Sequence, residues 1–152
     1  MRTAAAVILV GLAGLAGCND VRDFAGTWTG HRVEGLPSPP IGAGTDDAQL
    51  TIDSIDTHGL RGSLRVTAEA SGGPTLVDST FSSLEPAEAD VLATMTFSGD
   101  PLRVYLAFVP TTIGAGGDAL AVISLYDSQR IELRLLKGAP DPVYAIFALE
   151  QP

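Results

Sequence analysis

Few residues in this 152-residue chain have types suited to covalent chemistry. Cys18 is the sole cysteine. Its thiolate is the strongest nucleophile on offer, and no internal disulfide can form. His31 falls on an expected first strand and His58 in an expected turn. Neither has a metal-ligand spacing, so both read as solvated side chains. Asp46-Asp47 and other loop acids could attract calcium, but no EF-hand loop occurs. There is no Gly-x-Ser-x-Gly. Gly114-Ala115-Gly116-Gly117-Asp118 is followed by neither the lysine nor the helix of a phosphate loop, so it reads as a connection. Carboxylates are plentiful, but no pair stands out as an acid–base couple. The expectation is therefore a non-enzymatic protein with no catalytic residue, metal ligand or cofactor.

What precedes Cys18 gives that thiol a different use. Arg2 supplies a positive start, and Ala4 to Ala16 holds no charged or polar residue. That run has the length of a signal-peptide core and falls short of the roughly 20 residues of a membrane-spanning helix. Leu15-Ala16-Gly17-Cys18 resembles the lipobox of bacterial lipoproteins. The resemblance implies that the Cys18 sulfur takes a diacylglyceryl group and that a peptidase cuts between Gly17 and Cys18. It also accounts for an unpaired thiol in an exported chain.

The expected organisation follows. Residues 1–17 form a removed signal peptide, 18–23 a lipidated N-terminus and short tether, and 24–152 a single β domain. A mature chain of this length suits one domain and must stand on its core without disulfide staples. Each buried methylene of the anchor contributes roughly 0.8 kcal/mol, so two or three acyl chains would hold firmly. Asn19 to Asp23 would keep the domain within about 20 Å of the bilayer. The expected location is the periplasmic or surface side of the cell envelope. In Gram-negative lipoproteins an Asp directly after the lipidated Cys marks inner-membrane retention. Asn19 stands there, which favours the outer membrane.

Charge limits the partners. The chain carries −9, and loss of Arg2 with the leader makes it −10. Such a surface is not built to neutralise phosphates, so nucleic acid is excluded as a partner. The acidity also serves solubility.

The elements that must position everything else have period two. In Leu60 to Glu69 the even positions are apolar or small and the odd positions polar, which predicts a half-buried strand. Gln49 to Ile55 alternates likewise. Leu102, Val104, Leu106 and Phe108 form an apolar row, and Ile131, Leu133 and Leu135 another, opposite Arg130, Glu132 and Arg134. Leu120–Tyr126 and Val143–Leu149 are apolar on both faces, which predicts central or covered strands. Turn residues punctuate these runs at 56–59, 71–74, 98–101, 127–128 and 138–142. Longer Pro/Gly-rich connections span Gly35 to Gly44 and Thr111 to Asp118. Glu85 to Ala93 reads as a short helix feeding a strand near Met95.

The sum is an all-β domain, a single antiparallel meander of about eight strands. A meander buries one face and hides its edges by closing into a barrel. A β-sandwich is the alternative. Gly26-Thr27-Trp28 resembles the Gly-x-Trp start of the first strand in lipocalins and the avidin-like barrels. The resemblance implies a calycin-type barrel with Trp28 packed across its base, Gly26 permitting close approach, and a basic residue such as Arg130 or Arg134 laid on the Trp. It implies no particular ligand. Two roles follow for a lipoprotein anchored through Cys18. One is a binding module holding a small apolar ligand inside the barrel. The other is a structural or protein-interaction module with a filled core, meeting another envelope protein. A hydrolase is the least favoured reading.

Overall fold

The computed structural model describes residues 20–36, 46–68, 72–84, 99–126 and 129–152. The lipobox, the helix expected over 85–93 and the strand expected near Met95 lie outside these residues. Eight strands are formed: β1 (Gly26–Leu36), β2 (Asp47–Ile55), β3 (Leu60–Thr67), β4 (Thr75–Ser82), β5 (Arg103–Thr111), β6 (Gly117–Tyr126), β7 (Arg130–Lys137) and β8 (Val143–Glu150). A 3-10 turn, Val21–Phe24, precedes β1.

All eight belong to one antiparallel sheet in the order β4-β3-β2-β1-β8-β7-β6-β5, so the first strand pairs with the last. The two outer strands then meet. Leu84 N donates to Leu106 O at 2.7 Å, and Thr112 N donates to Leu76 O at 2.9 Å. The result is a nearly closed barrel rather than two packed sheets, and its seam lies between β4 and β5. Coiling a sheet this tightly needs positions without side chains. Gly30 and Gly62 provide them: a β-carbon would overlap the Ala148 carbonyl oxygen at Gly30 and the Thr51 carbonyl oxygen at Gly62.

Alternation sorts the side chains. Leu50 and Ile52 on β2, Leu60, Leu64 and Val66 on β3, Ile131, Leu133 and Leu135 on β7, and Ala145, Phe147 and Leu149 on β8 form one interior cluster. β5 departs from expectation. Its Leu102–Phe108 row faces outward, where Val104 and Leu106 pack with Val122 in a second, smaller cluster, while Tyr105, Ala107 and Val109 fill the interior. Both parities of β5 are apolar from Val104 to Val109, so period two alone could not choose the inward face.

The end of the barrel where the described chain starts is plugged from within. Asp20 caps the 3-10 turn by accepting from Arg22 N at 3.1 Å. Phe24 is fully buried and stacks on Trp28, with ring centroids 5.5 Å apart and planes at 19°. Trp28 Nε1 donates to Phe24 O at 2.9 Å. This end also holds the β2–β3 turn and the C-terminus. The opposite end holds the turns at 72–74, 112–116 and 138–142.

Candidate functional site: a groove on the outer face

The outward side chains of β8, β1, β2 and β3 line an open groove of about 880 Å³. Strand register builds it as two rows. In one, Thr29 lies between Glu150 and Gln49, and Gln49 faces Arg65. In the other, His31 lies between Ala148 and Asp47, Asp47 faces Thr67, and Thr67 faces Thr75. A bulge between Arg32 and Glu34 adds a residue to β1 and leaves Val33 65% exposed at the rim. Gly73, Gln151 and Pro152 complete the lining.

His31 is the most chemically capable group in the groove. Its Nδ1 meets Asp47 Oδ1 across the β1–β2 pair. Direct opposition on neighbouring antiparallel strands brings the two together. In the sequence His31 reads as a solvated strand side chain and Asp47 as one of the loop acids, with nothing local to join them. The signal that joins them is positional: they flank one connection on facing strands. With Thr29, Gln49, Arg65 and Thr67, the pair offers donors and acceptors across three strands to a polar surface. Among the described residues, no three His, Cys, Asp or Glu side chains stand close enough to hold a metal ion.

Behind the groove, one interior layer is ionic. Arg32 shares the inward face of β1 and is the register partner of Phe147. Its Nη1 lies 3.3 Å from Asp46 Oδ2, with the two side chains 5% and 0% exposed. Arg32 N also donates to Asp46 O at 2.9 Å. The sequence hides this pair, because Arg32 and Asp46 stand on either side of the Pro/Gly-rich connection spanning Gly35 to Gly44.

The other expected positions resolve as follows. Gly26 sits at φ 128°, a conformation that favours glycine, at the start of β1. Neither expected arginine covers Trp28. Arg130 lies over the Tyr126 ring at 4.5 Å, and Arg134 Nε donates to Glu132 Oε1 at 2.7 Å. Both belong to the outward parity of β7. Glu132 and Arg134 are buried there rather than wet. His58 is exposed in the β2–β3 turn, and its backbone N donates to Asp56 Oδ1 at 2.7 Å.

No family model, curated protein or solved structure matches the chain.

Two ionisable groups at the plugged end are shifted. The His58 and Gly59 amides, donating to Asp56, hold its carboxyl below the ordinary value of 3.8. Burial pushes the Tyr105 phenol above its ordinary 10.0. Its hydroxyl donates to Asp56 O at 2.5 Å.

Proposed function

We propose that this chain is a bacterial envelope lipoprotein, acylated on Cys18, whose barrel is a filled scaffold that presents its outer groove to another envelope component. One observation carries the choice between an internal cargo and an outer surface. Trp28, Tyr105, Phe24, Phe147, Leu50, Leu64, Ile123 and Leu125 are all fully buried, and all belong to one interior cluster. A pocket for a small apolar ligand needs hundreds of cubic ångströms of lined space. Large side chains occupy the positions that would line it. The groove, by contrast, gathers hydrogen-bonding groups on solvent-facing strands. The anchor rests on the lipobox resemblance of Leu15-Ala16-Gly17-Cys18 and on the absence of any second cysteine.

Mass spectrometry of the protein purified from its native membrane tests both halves at once. The expected N-terminal peptide begins at Cys18 and carries diacylglycerol, and the intact protein brings no stoichiometric small molecule. An unmodified Cys18 would end the lipoprotein reading. A co-purifying apolar compound at one per chain would replace the filled scaffold with a ligand carrier.

A further inference from the structure

We infer that the plugged end of the barrel, with the β2–β3 turn and the exposed leucines that bracket the β4–β5 connection, is the surface that rests on the bilayer. The opposite end, with the turns at 112–116 and 138–142, then points away. This orientation depends on the Cys18 lipidation proposed above.

Chain direction sets the geometry. Asp20 already caps the 3-10 turn, and Phe24, four residues on, is locked into the barrel mouth against Trp28. Two peptide units separate Cys18 from Asp20. Fully extended they span about 7 Å, so the acylated residue cannot reach the far end of the barrel. Strands of eight to eleven residues, at about 3.3 Å per residue and a tilt near 40°, put the two ends on the order of 20 Å apart. The barrel therefore cannot turn over on its tether.

Of the four exposed large apolar side chains among the described residues, Val33 and Phe108 lie on the outer face farther along β1 and β5, and the other two stand at the plugged end. Leu84 and Leu102 are 49% and 39% exposed. Single exposed leucines are common, but these two adjoin one connection at the end where the chain starts. A headgroup layer would take them without a protein partner. Arg22 in the 3-10 turn and Arg103 at the start of β5 share this end with the more numerous acids Asp20, Asp23, Asp56 and Asp100. That acidic excess suits zwitterionic lipid better than an anionic surface.

The test uses the full lipidated chain in phosphatidylcholine vesicles containing lipid with a quencher in its upper acyl segment. Thr57→Cys places a fluorophore in the β2–β3 turn, and Ala115→Cys places one at the far end. Both sites are exposed, and acylated Cys18 cannot take the label. The Thr57 label should be quenched several-fold more than the Ala115 label. Equal quenching, or stronger quenching at Ala115, overturns the orientation while leaving the anchor intact. The mass of the N-terminal peptide from the same sample reads the anchor separately; its absence overturns both. Leu84→Ser together with Leu102→Ser should weaken quenching at Thr57 without releasing the protein from vesicles. Unchanged quenching in that variant would remove the leucines from the contact.

Discussion

Tyr105 and Asp56 tie β5 to the far side of the barrel: a phenol 49 residues downstream donates to the backbone carbonyl that opens the β2–β3 turn. The ring of Tyr105 fills the interior and its hydroxyl reaches the rim, so one residue serves both core and edge. Tyr105→Phe keeps the ring and loses the donor. It should cost about 1 kcal/mol, the net worth of one hydrogen bond. Burial raises the Tyr105 phenol, so the fold favours its protonated form. That contribution is complete below the ordinary value of 10.0 and is lost as pH rises through the folded value. Thermal melts from pH 8 to 11 should show the wild type falling more steeply than Tyr105→Phe. Parallel curves would contradict this.

Asp56 acts in the opposite direction on the pH scale. Its carboxylate accepts from His58 N and Gly59 N, which depresses its proton affinity in the folded state. The stabilisation is present above the ordinary value of 3.8 and is lost as pH falls through the lower folded value. Asp56→Asn retains an acceptor for the turn but cannot titrate. It should be less stable than the wild type near pH 7 and converge with it between pH 5 and 2 by circular dichroism. Asp56→Ala removes the acceptor and should be the less stable variant at every pH.

Gly30 tests how the sheet coils. Its missing β-carbon leaves room for the Ala148 carbonyl, which belongs to the neighbouring strand backbone and cannot step aside. Gly30→Ala should cost at least about 2 kcal/mol through forced backbone displacement. Gly72→Ala is the control, because nothing lies within 4 Å of the added atom. Denaturant midpoints for the two variants should separate clearly. Similar midpoints would mean that the barrel does not depend on close approach at Gly30.

The buried pair behind the groove predicts non-additive effects. Asp46→Ala leaves the Arg32 charge with one carboxylate fewer in a nearly solvent-free layer. It should destabilise by about 3 kcal/mol. Replacing both residues by leucine removes the charges together and should recover much of that loss. Urea unfolding of Arg32→Leu, Asp46→Leu and the double variant measures the coupling. Additive losses would show that the two side chains do not act as a unit.

The strands were legible where one face is polar. β3 has Arg61 and Arg65 exposed between buried Leu60, Leu64 and Val66, and β7 puts Ile131, Leu133 and Leu135 inside as its alternation requires. β4 left no such trace. Thr75 to Ser82 places Leu76 and Val77 side by side, both buried, then only polar residues until Phe81. Its identity as a strand comes from pairing with β3 and from its place at the seam, neither of which is a local property. Trp28 is fully buried at the plugged end. Its actual partner, Phe24, follows from a 3-10 turn that sequence reasoning treated as tether. In the groove, Thr29, Gln49 and Arg65 lie in three separate stretches that only cross-strand register aligns.

The pairing of β1 with β8 also sets an order of events for a chain that emerges from its N-terminus. Whether it leaves a ribosome or a translocation pore, β1 can zip to β2 early, but its other edge has no native partner until residues 143–150 arrive. Closure therefore waits until β8 has emerged. Until then the sheet exposes two bare rims to intermolecular pairing. A shortened chain lacking only β8 would lose far more than one strand: it would remain a permanently open ribbon, exposed to aggregation and proteolysis along β1 and β7.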